Sequence, residues 1–278
     1  MEQPAQKRSI AWQPLTPRGV AAFARASFGS LLLVQCVFAL IGAGAVVWFL
    51  HYGWFPVIGA AVRILPEQGE IRKGKLDWRG ESPVRLAENR FLALAVDLRH
   101  EGKTRSSAHL QVEFGLTNCK VFSVLGYIPW RYPSQYIIAF NQRGLEPWWG
   151  AWSPVLLAIA AAAVMIGLLL SWPVFATLYA LPVWLFAFFG NRDLDLGRSW
   201  RLSGAAQMPG ALFLTATILV YGLGALDLVQ LGVGFGLHFL VAWFYLVAGI
   251  IAAPKPPDAP RNKENPFAPP GSEEGAKS

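Results

Sequence analysis

The four histidines are the residues whose chemistry could indicate a metal site or a catalytic site, but their spacing fits neither kind of site. They are His51, His100, His109 and His238. No two of them have the spacing on a helix or strand that a metal site needs. His100 and His109 flank one predicted loop and could approach each other across a hairpin, where a surface pair is favoured over a pair of ligands. We therefore predict no metal site and no bound cofactor.

The sequence also lacks the short motifs that carry known chemistry. It contains no G-x-S-x-G, no H-E-x-x-H, no Walker loop and no Gly-rich dinucleotide turn. An enzyme embedded in a membrane would need paired acids, or a nucleophile with a base, inside its apolar segments. Only Asp227 and His238 are available for this, and they form a weak pair. These absences predict a non-enzymatic protein with no catalytic residue.

His238 and Asp227 are nevertheless the most informative ionisable residues. His238 lies near the middle of the last apolar segment, and ionisable groups in lipid usually face a protein interior or a water-filled cavity. One interpretation is a proton or substrate pathway, and the other is a neutral ring that bonds a backbone carbonyl or a neighbouring hydroxyl. The second is favoured. Asp227 lies between the last two segments and is expected to cap the final helix.

Two further pairs are candidates for packing or for lipid contact. Gly232 and Gly236 have a G-x-x-x-G spacing, which allows close approach of helices within the chain or between two copies. Arg198 and Arg201 lie three residues apart and are expected to share a helix face. They could bind lipid phosphates at the headgroup level or anchor the fold, and the sequence does not decide between these roles.

Apolar segments must position these residues, and they dominate the chain. The 278 residues are 54% hydrophobic and 15% charged, whereas a soluble chain has about 25% charged residues. A membrane span needs about 20 apolar residues. Five segments approach this length: 28–50, 153–171, 173–190, 209–227 and 230–251. The first is longer than the core of a cleaved signal peptide, so we interpret it as a signal anchor.

The number of crossings is open between four and five. Length alone favours five, which places the C-terminus on the opposite side from the N-terminus. The positive-inside rule favours four, because the basic residues after 190 prefer the cytoplasm; these are Arg192, Arg198, Arg201, Lys255, Arg261 and Lys263. Four crossings would require 153–190 to cross only once, with 173–190 re-entrant or protruding, and Pro173 and Pro182 allow such a break. The lack of charge in 173–190 tips the prediction towards five.

The polar block between the first two apolar segments is predicted to be a β-rich domain. Leu92, Leu94 and Val96 alternate with other residues, and Leu110, Val112 and Phe114 repeat the pattern. Such alternation predicts half-buried antiparallel strands, and we expect a sheet of about five. Basic residues before the first span predict a cytoplasmic N-terminus, so residues 51–152 would lie in the periplasm or outside the cell. The predicted fold class is a membrane α-helical bundle with a small extramembrane β-rich domain.

Composition predicts the character of the two chain termini and argues against nucleic-acid binding and against a disulfide. Residues 1–27 are predicted to be a cytoplasmic N-terminal tail, and 253–278 a disordered Pro-rich tail. The net charge is +7 without a dense basic run, so nucleic acid is not an expected partner. The cysteines, Cys36 and Cys119, are expected to lie at different membrane depths and not to form a disulfide.

Many of the 12 tryptophans lie at the ends of apolar segments, namely Trp48, Trp54, Trp148, Trp149, Trp152, Trp172 and Trp184. Indole rings prefer the headgroup layer, so these tryptophans are predicted to be interface anchors. Trp78 and Trp130, by contrast, are predicted to pack in the outer domain.

Two groups of residues carry a resemblance, one in the outer block (Gly74, Leu76, Phe91, Leu92 and Asp97) and one in a later segment (Trp200, Arg201, Leu202, Ser203 and Pro209). Together with the layout, they resemble an uncharacterised family of bacterial membrane proteins that includes a so-called maltodextrin-utilisation protein. More distantly, the arrangement is similar to the Yip superfamily. The resemblance implies one span, a periplasmic domain of roughly a hundred residues and then a bundle of spans. It implies no activity and no catalytic residue.

Three functional hypotheses follow. In the leading one, an integral inner-membrane protein uses its outer domain to bind a protein or ligand partner while the bundle anchors it in the lipid bilayer. The partner could be an envelope protein or a second copy. The alternative is a transporter or permeation subunit with a polar route near His238, lined by Gln35, Thr215 and Thr217. A membrane-embedded enzyme is the third.

Overall fold

The computed structural model describes residues 13–256, which form a helical bundle and a small β domain. Within these residues, four helices are long and apolar enough to cross a membrane. The β domain lies at one end of this bundle, here called the β-domain end. The opposite end, the tail end, carries the first helix, the α4–α5 loop and the end of the last helix. Most of the Pro-rich segment 253–278 lies outside the described residues.

The first helices begin at capped serine and threonine residues. α1 is Pro17–Phe23, and the Thr16 side chain accepts from the Gly19 amide. α2 is Phe28–Phe49, capped by Ser27. It continues through a π-helical turn, Leu50–Trp54, into α3, Phe55–Arg63. Since these segments form one rod of 36 residues, the first span rises about 54 Å, well beyond the bilayer core.

A single helix, α4, contains both of the apolar runs that the sequence separates. It is Gln142–Phe189, with 48 residues, and it includes Pro147, Pro154, Pro173 and Pro182. The prediction of five separate segments is therefore wrong, and the helix has no break at Pro173 or Pro182, where the four-crossing alternative allowed one. Proline in a long apolar helix is tolerated when neighbouring helices compensate for the lost hydrogen bond, and Trp172 and Ala176 are buried beside Pro173.

The central helix of the bundle is α5, Leu196–Gly222, and it is followed by α6, Leu228–Ala252. All residues from Leu202 to Gly210 are buried. Most are small, which lets neighbouring backbones approach closely. A Cβ added at Gly210 would lie 2.5 Å from the His238 carbonyl oxygen on α6. The core around α5 includes Val20, Leu31, Val183 and Leu246, so α1, α2, α4 and α6 all pack on it.

The β domain contains eight strands in two sheets. The strands are β1 (Gly69–Arg72), β2 (Lys75–Trp78), β3 (Val84–Glu88), β4 (Leu92–Val96), β5 (Leu110–Phe114), β6 (Asn118–Ser123), β7 (Gly126–Arg131) and β8 (Ile138–Ala139). The small sheet has the order β2-β1-β8, and the large sheet β3-β4-β5-β6-β7. The β4–β5 pair is parallel, which corrects the expectation of a purely antiparallel sheet. The loop 97–109 provides this crossover.

The core of the β domain lies between one sheet face and α3. Val57 and Ala61 of α3 pack with Leu92, Leu94 and Val96 of β4. Trp78 packs against this core as predicted. Trp130 is 69% exposed, so its predicted packing is wrong. Trp172, predicted as an interface anchor, is buried at 3% exposure.

Candidate functional site

Arg90 connects the β domain directly to the end of the bundle. It lies just before β4, and its guanidinium group donates to the backbone carbonyls of Gly224 and Leu226 in the α5–α6 loop. A Cβ on Gly224, which has φ +80°, would lie 3.1 Å from Arg90 Nη1. Glycine at 224 thus permits both the turn and the approach of the arginine.

Aromatic rings extend this junction into the bundle. Phe91 lies 5.3 Å from Phe49 and 5.1 Å from Tyr221, measured between ring centroids. Asn89 donates 2.6 Å to the Gly53 carbonyl in the π-helical turn, and its Oδ1 accepts from the Phe91 and Leu92 amides. Because α2, α5 and the start of β4 meet here, the β domain is fixed to the bundle by side chains as well as by its chain connections.

His109 is the titratable group of the junction. Its Nδ1 lies 2.9 Å from the Tyr221 hydroxyl, and its amide donates to the Arg90 carbonyl. Burial lowers the pKa of His109 below the usual 6.5, nearby Arg90 lowers it further, and Asp227 opposes the shift. Burial and a neighbouring cation both disfavour the charged ring. His109 and His100 do not pair, because each has other partners.

The tail end is held by ion pairs and by bonds to backbone carbonyls. Asp193 accepts from Arg25 at 2.9 Å and from Arg198 at 2.8 Å, and Arg198 also pairs with Asp195. Arg201 donates to the Ala24 carbonyl at 3.0 Å. Both arginines that were candidates for lipid phosphate are thus bonded within the chain, which favours the anchoring role.

The same network places the end of the chain beside its beginning. Arg192 donates to the Ala253 carbonyl at 2.8 Å, and the Asp193 amide donates to the Pro254 carbonyl at 2.9 Å. Because Asp193 also binds Arg25, the α4–α5 loop, the end of α6 and the N-terminal helix meet at one end of the molecule.

Asp227 and His238 occupy different levels of α6. Asp227 is the N-cap of this helix, and with Gln230 it forms a capping box, as the sequence predicts. His238 is half-buried, and its Nδ1 bonds the Phe235 carbonyl within the same helix. Gln35 donates to the Gly204 carbonyl, whereas Thr215 and Thr217 donate to carbonyls of their own helix. The residues proposed to line a polar route therefore do not converge on one another.

Gly232 and Gly236 face away from the rest of the chain that the structure describes. A Cβ added at either would meet no atom within 4 Å, whereas one at Gly234 would lie 2.4 Å from Thr217 Cγ2. The close α5–α6 contact thus uses the intervening glycine, and the G-x-x-x-G pair has no packing role within the described chain.

A buried polar cluster stabilises the β domain. Glu113 is 1% exposed, and it lies 2.5 Å from His100 Nδ1 and 3.2 Å from the Thr104 hydroxyl. The other ring nitrogen of His100 contacts Asn118. Sequence patterning did not reveal this cluster, because its members are spread over a loop and two strands. Because these side chains are bonded to one another, we assign the cluster a structural role.

Exposed apolar side chains occur on every long helix of the described residues, and two exposed apolar surfaces lie towards the β-domain end. The first is the β6–β7 hairpin with the segment after it, where Leu125 is 92% exposed and Ile128 is 68% exposed. The second is a stripe along α4 that begins at Trp148 and Trp152. The sequence showed both as apolar but gave no sign that the chain leaves them uncovered.

Comparison with protein-family models, curated proteins and solved structures found no match. The family resemblance therefore stays a prediction. Among residues 13–256, no three His, Cys, Asp or Glu side chains are grouped so that they could hold a metal ion.

Proposed function

We propose that the protein is a non-enzymatic membrane protein of the bacterial envelope, in which the bundle anchors the β domain and α4 binds a protein partner. The observation that carries this proposal is the length of α4. It has 48 residues and α5 has 27. Since they run antiparallel from a shared loop, α4 extends 21 residues beyond α5, about 32 Å at 1.5 Å per residue.

The extended part of α4 carries an apolar face that lipid would not cover. Residues 147–191 contain no charged residue. The uncharged part of the helix, 147–189, is thus about 65 Å long, whereas the hydrocarbon core is about 30 Å thick. Trp149 on one side packs on Phe55 of α3, with a centroid distance of 4.9 Å. Trp148, Trp152, Val155 and Ile159 are 42–54% exposed.

The spacing of the exposed residues indicates what kind of partner would fit. Trp148, Trp152, Val155, Ile159 and Ile166 are separated by four, three, four and seven residues. This is the seam spacing of two helices that pack side by side. We therefore infer that the partner is a membrane protein with an apolar helix that leaves the bilayer on the same side as the β domain.

Photo-crosslinking tests this proposal in the full-length protein in cells. A photoreactive phenylalanine analogue at Trp152 or Ile159 should form a protein adduct, and peptide mapping should place the adduct on an apolar helix. Gly150 provides the matched control, because it lies at the same height, points to the opposite face, and a Cβ there meets nothing within 4 Å. Mapping also distinguishes a second copy from another protein.

Two results would overturn the proposal. One is that Trp152 and Ile159 give lipid adducts only, which would mean that α4 tilts to bury its stripe in the bilayer. The other is equal protein adducts at Gly150 and at the stripe positions, which would mean non-specific proximity.

We also propose the inner membrane as the location, with the tail end in the cytoplasm and the β domain in the periplasm or outside the cell. Arg18, Arg25, Arg192, Arg198 and Arg201 lie towards the tail end, and positive residues near spans are retained in the cytoplasm. Four crossings place both chain ends on that side, which removes the conflict between apolar length and charge.

A further inference from the structure

We propose that the turn between β6 and β7 inserts its apolar tip into the surface of the bilayer that the bundle spans. The inference is separate from the proposed partner on α4. It concerns a second contact, between the β domain and phospholipid, and it rests on strand register, exposure and charge.

Register places the turn at the β-domain end of the bundle. Arg90 and His109 contact the α5–α6 loop and Tyr221, and β4 and β5 begin directly after them. Leu110 pairs with Ser123, and Ser123 pairs with Gly126. The β6–β7 turn therefore lies at the same end of the strands as His109, about 10 Å away across two strand spacings.

The tip of this turn is apolar and no described part of the chain covers it. Val124 is 63% exposed, Leu125 92% and Tyr127 59%. Large apolar side chains with this exposure are unfavourable in water. They lie at the level where α5 ends, beyond the strands that α3 covers, so the first acyl carbons below the lipid headgroups would be their nearest apolar surroundings.

Charge on the hairpin favours a phospholipid surface. Residues 114–141 contain Lys120 and Arg131 but no Asp or Glu. The Lys120 amino group lies 5.5 Å from the centre of the Tyr127 ring, and the Arg105 guanidinium group lies 3.8 Å from that of Phe122. Aromatic rings combined with long basic side chains are typical of segments at the membrane interface.

The exposed hairpin could instead bind another protein by strand addition, but β7, the outer strand of the large sheet, is poorly suited to this. The two-residue turn makes Ser123–Gly126 a hydrogen-bonded pair, and such pairs alternate along an antiparallel ladder. Lys120–Pro129 is then a non-hydrogen-bonded pair, so the nitrogen of Pro129 faces the open edge. Because proline has no amide hydrogen there, it blocks continuation of the sheet.

A spin label reports the environment of the tip in the full-length protein. Cys36 and Cys119 are replaced by Ala, Leu125→Cys is labelled, and the protein is placed in nanodiscs of phosphatidylcholine and phosphatidylglycerol. We expect oxygen to relax the label more strongly than a water-soluble nickel reagent does. Leu116→Cys is the matched control, since Leu116 is 46% exposed in the β5–β6 turn, at the opposite end of the strands. Its label should respond mainly to nickel.

The outcomes separate lipid from its alternatives. If the label at 125 responds like the label at 116, the turn lies in water and the proposal is wrong. A label at 125 that is shielded from both reagents would mean that protein covers the turn, which also overturns it. Equal oxygen response in nanodiscs of phosphatidylcholine alone would overturn the role of the basic residues. Unchanged thermal unfolding of each labelled variant shows that the fold is retained.

Discussion

Several polar side chains inside the bundle bond to nearby backbone carbonyls, which is how an apolar setting tolerates them, whereas the buried Ser199 hydroxyl has no partner among the described residues. Ser203 donates to the Ser199 carbonyl and Thr215 to the Ala211 carbonyl, both one turn earlier in α5. A buried polar group without a partner costs about 1–3 kcal/mol. These bonds remove that cost without a second helix, so such residues need no polar pathway to explain them. The sequence shows which polar residues lie in spans but not which carbonyl each one meets.

At the junction, the lowered pKa of His109 leads us to expect that the protein loses stability in acid. Because this pKa is lowered in the folded protein, the unfolded chain binds the proton more readily. The contribution is therefore complete above the ordinary value of 6.5 and is lost as the pH falls through the lowered pKa. Thermal unfolding in detergent at pH 8 and pH 5 should show a larger fall in Tm for the wild type than for His109→Gln.

His51→Gln is the control for this measurement, because His51 is an exposed histidine in the same half of the molecule. It should keep the acid dependence of the wild type. If His109→Gln lost as much Tm in acid as the wild type, the junction histidine would not be the group that titrates.

At the scale of elements, the sequence predicted what depends on local pattern. The apolar runs became helices, and the alternation at 92–96 and 110–114 became β4 and β5. The continuity of α4 was missed, because proline signals a break in an isolated helix. β1, β2, β3 and β7 were also missed. Glycine and proline surround the first three, and β7 is exposed along its whole length, so it has no buried alternation.

The contact between α5 and α6 predicts a sharp difference between two glycines. Gly210→Ala should destabilise the bundle, because the new Cβ would lie 2.5 Å from the His238 carbonyl oxygen and 3.1 Å from Ala242 Cβ. Overpacking of this kind costs about 1–3 kcal/mol. Since a backbone oxygen cannot rotate away, α6 would have to shift. A lower Tm in detergent, with a lower yield of folded protein, would measure this.

Gly236→Ala is the matched control, since it makes the same change on the partner helix where a Cβ meets no atom within 4 Å. Alanine favours a helix over glycine by up to about 1 kcal/mol, so its Tm should be unchanged or higher. A larger loss at Gly236 than at Gly210 would contradict the α5–α6 packing and would favour contact of the G-x-x-x-G pair with another helix.

At the scale of the whole molecule, two ends with different character explain the candidate surfaces. The tail end is closed by ion pairs and carbonyl bonds, whereas the β-domain end rises on α3 and α4 far above α5 and α6. The exposed stripe on α4 and the β6–β7 turn both follow from this unequal height. Sequence alone could not predict them, because exposure depends on which helix or strand lies beside each residue. The apolar composition of Trp148 or Leu125 would suit a buried core equally well.

This arrangement predicts that both chain ends lie on one side of the membrane and the β domain on the other. In a variant with Cys36 and Cys119 replaced by Ala, Lys255→Cys and Thr16→Cys should react with a membrane-impermeant maleimide only after the inner membrane is permeabilised. Leu116→Cys, in the exposed turn between β5 and β6, should react as soon as the reagent reaches the periplasm. The reason is that α6 ends beside the α4–α5 loop, through the Asp193–Pro254 and Arg192–Ala253 bonds, so four crossings return the chain to its starting side.

Labelling of Lys255→Cys together with Leu116→Cys would require an odd number of crossings, and the continuous α4 would then have to be broken in the membrane.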